Sequence, residues 1–103
     1  MIFKEHLQQT ILSHVPENAR VLDLGCGDGT LLHRLREEKK VNGYGVEIDT
    51  DNLLTCVKKG LDVYQGNIDE GLSDFSDKSF DLVILSQTLQ AFLDPEKVIF
   101  ELL

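Results

Sequence analysis

Three glycines at alternate positions, Gly25, Gly27 and Gly29, follow the short apolar run Val21-Leu22-Asp23-Leu24. The run reads as a buried parallel strand, and Thr30 opens a helical pattern carried by Leu31, Leu32 and Leu35. Strand, glycine turn and helix make the crevice at the carboxyl end of a sheet where nucleotides bind. Glycines let the backbone come close to a ligand and take positive φ, which costs a Cβ-bearing residue about 1–2 kcal/mol. A dinucleotide fingerprint needs G-x-G-x-x-G, and the place of its third glycine is held by Thr30. A plain dinucleotide-binding domain therefore fails on the glycine spacing. The bland alternative is a glycine turn closing an ordinary β-α junction.

A carboxylate joins the turn from further along the chain. Gly43 to Asp49 reads as a second strand with an acidic end, and Glu47 follows Gly25 by about 20 residues. Nucleotide folds place an acid at that separation to accept from both ribose hydroxyls, in charge-assisted hydrogen bonds. A surface glutamate at a strand end is the competing explanation.

Other elements must position these groups. Phe3, Leu7, Ile11 and Val15 recur at four-residue steps, an amphipathic helix over residues 2–15 that Pro16 ends. The helix after the glycine turn runs to about Glu38, and its charged tail over 36–40 is a solvated face. Asp49 or Thr50 caps a third helix patterned on Leu53, Leu54 and Val57. Lys58 and Lys59 suit its negative end, and Gly60 supplies a left-handed stop. Leu61 to Tyr64 is a third strand, ending at Gln65-Gly66-Asn67-Ile68. Residues 69–79, acidic and turn-rich, read as a short helix and loop. Phe80 to Ser86 is a fourth strand, apolar enough for burial on both faces. Gln87, Thr88 and Gln90 then lie at the mouth of the crevice, and Asp94-Pro95 starts a last helix. Strands alternating with helices predict an α/β fold, a doubly wound and mainly parallel sheet in a single domain over residues 1–103.

Composition removes several classes of function. The chain has 103 residues, enough for one domain with a real core, and a hydrophobic content of 42%, ordinary for a globular protein. Its net charge of −8, with no basic stripe, counts against a nucleic-acid partner. Cys26 and Cys56 form neither a CxxC nor a disulfide framework: Cys26 fits a tight loop as a small residue, and Cys56 falls among core positions. His6, His14 and His33 show no metal spacing. With no apolar run of membrane-spanning length and no signal peptide before the fold, a cytoplasmic protein is the expectation.

G-x-G-x-G after an acidic strand residue resembles motif I of the class I S-adenosylmethionine-dependent methyltransferases. The resemblance implies S-adenosyl-L-methionine as cofactor, whose amino-acid end carries an ammonium, a carboxylate and a sulfonium. It places Asp23 just before the turn, where its carboxylate meets the ammonium, and Glu47 on the ribose. In the family pattern the residue after the glycine that closes the third strand, usually acidic, takes the adenine amino group. Here that residue is Asn67, whose side-chain oxygen accepts without the charge, and a Gly-Asn turn is the competing explanation. The candidate donor site so implied comprises Asp23, Gly25, Cys26, Gly27 and Gly29 at the first strand and Glu47 and Ile48 at the second. Asn67, Ile68 and Ser86 complete it at the third and fourth.

Four stretches together bring a closer resemblance: Leu22 to Gly29, Gly43 to Asp49, Gln65 to Leu72, and Phe80 to Ala91. They resemble the methionine biosynthesis protein MetW family over nearly the whole chain from Arg20 onward, with Ser86-Gln87-Thr88-Leu89-Gln90 as the most specific part. The resemblance implies a Rossmann-like methyltransferase fold with strand order 3-2-1-4 and a role in methionine biosynthesis beside homoserine O-acyltransferase. The alternative it leaves open is a methyltransferase with an unidentified small acceptor. Measured against that family, the chain stops after the fourth strand and its helix, without the fifth strand and closing antiparallel pair. Leu82 to Leu85 is then expected as an exposed edge, so that the chain is either a piece of a longer protein or self-associates through that edge.

Overall fold

The structure is a computed structural model that describes residues 2–67 and 80–85. The expected helices within 69–79 and from Asp94, the polar residues Gln87, Thr88 and Gln90, the site candidates Ile68 and Ser86, and the side chain of Phe3 lie outside the described residues.

Helix α1 (Ile2–His14) leads into strand β1 (Arg20–Leu24), helix α2 (Thr30–Lys39), strand β2 (Asn42–Glu47), helix α3 (Thr50–Lys58) and strands β3 (Val63–Gln65) and β4 (Leu82–Ile84). The four strands form one sheet in the order β3-β2-β1-β4, every pairing parallel. This is the order that the family resemblance implied. Successive right-handed crossovers from β1 to β2 to β3 step in one direction and place α2 and α3 on one face. The return to β4 on the far side of β1 makes the switch point, and ligands of open α/β sheets bind beyond the strand ends there.

Burial follows the alternation of the strands. Val21, Leu82 and Ile84 face the helices and pack with Leu7, Ile11, Val15, Leu31, Leu32 and Leu35. Leu22, Leu24 and Val46 face the other way, with Tyr44, Tyr64, Phe80, Val83 and Leu85 partly buried around them. The fourth strand is thus apolar on both faces, as its sequence indicates, although its regular part is confined to Leu82–Ile84. No helix among the described residues is long and apolar enough to cross a membrane.

Two boundaries differ from the expectation. The third strand begins at Val63, not Leu61. Gly60 takes φ 76°, its N–H donates to Val57 O at 3.0 Å, and Leu61 N–H donates to Cys56 O at 3.1 Å. That pair of bonds is a Schellman motif, so Leu61 belongs to the helix stop and buries its side chain there. The second strand ends at Glu47, two residues early. Asp49 is instead the N-cap of α3, its carboxylate accepting from Asn52 N–H at 2.9 Å.

The entry to β4 is pinned to β1 by an ion pair. Asp81 Oδ2 accepts from Arg20 N–H at 2.9 Å and Oδ1 accepts from Nη2 at 2.9 Å, while Asp81 N–H donates to Arg20 O at 2.8 Å. The side-chain hydrogen bond of Arg20, helped by its backbone N–H, holds the Asp81 carboxyl down to about 2. A depressed folded-state value contributes stability that is present above the unfolded carboxylate pKa and lost as pH falls toward the folded one. Acid unfolding is therefore expected to show a contribution between about pH 4 and pH 2 that Asp81→Asn removes and high salt weakens. An unchanged acid limb in Asp81→Asn, followed by circular dichroism, would show that the pair does not stabilise the sheet.

Candidate functional site

β1 ends in a loop that is tied down on every side. Gly25, Gly27 and Gly29 take φ of 73°, 62° and 83°, so all three glycines sit in the left-handed region that their spacing predicts. The Val46 carbonyl at the end of β2 accepts two loop amides, Gly25 N–H at 2.7 Å and Cys26 N–H at 3.1 Å. Gly27 N–H donates to Glu47 Oε1 at 2.7 Å. Within the loop, Gly29 N–H donates to Cys26 O at 3.1 Å.

Glu47 therefore points into the glycine loop. Its other oxygen, Oε2, accepts from Asp49 N–H at 3.0 Å, and its backbone carbonyl accepts from Gly66 N–H at 3.1 Å. One residue so joins the ends of β1 and β2, the start of α3 and the end of β3. The side chain is buried, 6% exposed. Each carboxylate oxygen has two lone-pair directions and has committed one to a backbone donor, which leaves one on each for two further hydroxyl donors. Asn67 is exposed, next to Gly66, and so stands at the same strand end. Ile48, 61% exposed, offers an apolar surface directly after Glu47.

Asp23 is fully buried at 0% exposure, on the sheet face that carries Val21 and Ile84. Two buried carboxylates thus stand at the first strand's end and under the loop. The Cys26 thiol feels both: burial, then the charges of Asp23, Cys56 and Glu47, push it far above the ordinary thiol range, so it stays protonated. This field opposes a phosphate group and suits a ligand with a cationic end and a vicinal diol. The residues present therefore fit S-adenosylmethionine, a ligand with both. No group of three or more His, Cys, Asp and Glu side chains that could hold a metal occurs among the described residues.

Cys26 itself lies on the core side of the loop, 4% exposed, with its sulfur 3.8 Å from that of Cys56. Its side chain fills the space left by Gly45, where a Cβ would meet the Cys26 Sγ at 2.7 Å. Any ligand contact at this position falls to the backbone, and the sequence reading of a small residue fitting a tight loop describes its side chain correctly.

Three features of the site have no signal in the spacing. The Cys56 thiol donates to Gly27 O at 3.3 Å. Lys59 Nζ donates to Asp28 O at 2.9 Å, so it serves the loop before α2. Arg36 of α2 reciprocates, donating to Gly60 O at 2.9 Å and Lys59 O at 3.0 Å. Only the fold brings these positions together. Asp28, by contrast, sits two residues before Thr30, whose N–H and hydroxyl both donate to its Oδ1 at 3.0 and 2.7 Å, a local pattern that a sequence shows.

Comparison with known proteins identifies the family and the fold. The bifunctional methionine biosynthesis protein MetXA/MetW of Rhodopirellula baltica is 38% identical over 104 residues, covering 93% of this chain and 17% of that protein. A crystal structure of an S-adenosylmethionine-dependent methyltransferase from Archaeoglobus fulgidus superposes with a TM-score of 0.64 at 32% identity, over 80% of this chain and 36% of that one. A possible histamine N-methyltransferase from Thermotoga maritima gives a TM-score of 0.65 at 25% identity, over 96% and 44% of the two chains. The chain thus spans less than half of each of these relatives. The fold is that of the Rossmann-like methyltransferases. Residues 5–103 match the family described as methionine biosynthesis protein MetW, and the chain belongs to that family.

Proposed function

We propose that the glycine loop and Glu47 bind S-adenosyl-L-methionine, and that the protein acts in methionine biosynthesis together with a homoserine O-acyltransferase. The observation that carries the cofactor reading is the Glu47 carboxylate, turned into the loop at 2.7 Å from Gly27 N and still able to accept two hydroxyls. In this reading Glu47 holds the ribose, Asp23 and the loop from Gly25 to Gly29 enclose the amino-acid end, Ile48 lies against the adenine, and Asn67 accepts from its amino group. When bound, the cofactor supplies a sulfonium-activated methyl group. The chain's own residues orient it, and methyl transfer needs mainly positioning. The partner reading is supported by the Rhodopirellula baltica relative, whose name joins MetXA and MetW in one chain.

Titration calorimetry with S-adenosylmethionine and S-adenosylhomocysteine tests the cofactor, and binding of both is the expected result. An acyltransferase assay with and without this chain tests the partner, with stimulation expected. Stimulation by a Glu47→Ala chain that binds no cofactor would show that the methyl donor is dispensable to that role. A second reading, a methyltransferase acting on a small acceptor, is favoured by the 32% identity to the Archaeoglobus fulgidus methyltransferase. Methyl transfer to a homoserine-pathway metabolite in the absence of any partner would select it.

A further inference from the structure

We propose that Lys59 is a positioning residue for the cofactor loop, acting through the Asp28 carbonyl; the proposal rests on the cofactor reading above. The lysine stands at the end of α3, where a cation ordinarily serves its own helix's carbonyls. Its ammonium instead crosses to the loop before α2, donating to Asp28 O at 2.9 Å and approaching Thr30 Oγ1 at 3.4 Å. Cys56, one turn earlier on the same face, donates to the preceding carbonyl, Gly27 O, at 3.3 Å. Two side chains of α3 thus hold two consecutive loop carbonyls. A trans peptide carries its C=O and N–H in opposite directions, so drawing these oxygens toward α3 turns the following amides away from it. Of these amides Gly29 N–H is directed to Cys26 O within the loop at 3.1 Å, so the grip fixes the shape in which the loop meets a ligand.

The anchor of the grip is itself fixed. Arg36 donates to Lys59 O at 3.0 Å, and Lys59 N–H donates to Thr55 O and Cys56 O, both at 3.1 Å. Asp28 is held from its other side by the Thr30 N–H and hydroxyl on its carboxylate. Lys59 is half-buried in this clasp, whereas the adjacent Lys58 is exposed. A solvated surface lysine would make neither contact and would have no effect on the loop.

The test compares Lys59→Met, which keeps an unbranched apolar stem and loses the ammonium, with Lys59→Arg, which keeps a charged donor, and with Lys58→Met. Calorimetry uses two probes: S-adenosylhomocysteine, which reaches the loop with its amino-acid end, and adenosine, which lacks that end. Lys59→Met is expected to weaken S-adenosylhomocysteine about tenfold, the scale of one charged hydrogen bond, and adenosine by less than about twofold. Lys59→Arg restores the affinity and Lys58→Met leaves it unchanged. Equal losses for the two probes, or none for either, would overturn the proposal. Amide hydrogen exchange supplies a readout that needs no ligand: Gly29 and Thr30 amides are expected to exchange faster in Lys59→Met while core strand amides do not change. Unchanged loop exchange would likewise overturn it. Should the unaltered chain bind neither probe, the cofactor reading fails, and the exchange rates still decide whether Lys59 holds the loop.

Discussion

Replacing Glu47 by alanine is expected to abolish tight binding of S-adenosylhomocysteine and, independently, to lower the stability of the free protein. Both effects come from one carboxylate. Truncation strips Gly27 N–H and Asp49 N–H of their acceptor at a position only 6% exposed. A donor left unsatisfied costs about 1–3 kcal/mol, so a loss of roughly 2–5 kcal/mol is expected where water enters incompletely. For a domain of this size each kcal/mol moves the melting temperature by about 4–8 °C. The ligand side adds the loss of charge-assisted bonds to the ribose, tenfold to over a hundredfold in affinity at about 1.5–3 kcal/mol. Glu47→Gln separates the roles. The amide keeps one acceptor oxygen and presents an NH2 to the other backbone donor, so about half the stability loss remains. Thermal denaturation and calorimetry on the two variants measure each part. Full affinity in Glu47→Ala would refute the ribose role, and an unmoved melting temperature would refute the strut.

Gly29→Ala is the second large effect. At φ 83° a side chain is strained, about 1–2 kcal/mol, and the new Cβ would also lie 2.5 Å from Leu61 Cδ1 and 2.9 Å from Cys56 Sγ. Overpacking of this kind costs a further 1–3 kcal/mol or so. The sum, about 2–5 kcal/mol, is a large part of a typical domain's 5–15 kcal/mol. Gly60→Ala makes the comparison clean, because φ is similar at 76° but the nearest atom is Arg36 Nη1 at 3.8 Å. Only the backbone strain applies there, so it should destabilise less than half as much. Leu61→Ala should cost less in the Gly29→Ala background than alone, since it relieves one of the two contacts. Denaturant unfolding of the four variants measures all of this, and strict additivity would mean that the steric account of Gly29 is mistaken.

The sequence makes legible what local chemistry dictates. Alternate glycines after an apolar run give the loop, and Gly60 behind Lys58-Lys59 gives the helix stop, because both depend on φ preferences within a few residues. Glu47 is found by its distance from the turn, which the length of one helix and one strand fixes. Its backbone partners are not found that way, because a glutamate at a strand end looks the same whether its carboxylate faces solvent or a neighbouring loop. Leu61 reads as strand because β propensity does not distinguish a strand residue from the apolar residue that closes a Schellman motif. The contacts from Cys56 to Gly27 and from Lys59 to Asp28 join positions 29 and 31 residues apart. Only the right-handed crossover that lays α3 beside α2 creates them.

The fit of the Cys26 sulfur into the hollow above Gly45 makes those two positions a single unit of evolutionary change. A methyl group at 45 would stand 3.2 Å from both Cys26 Cβ and Val63 Cγ1 as well as 2.7 Å from the sulfur. Among descendants of this sequence, bulk gained on the second strand must be given up in the first loop, and the pair should drift as partners while the surface around them drifts freely.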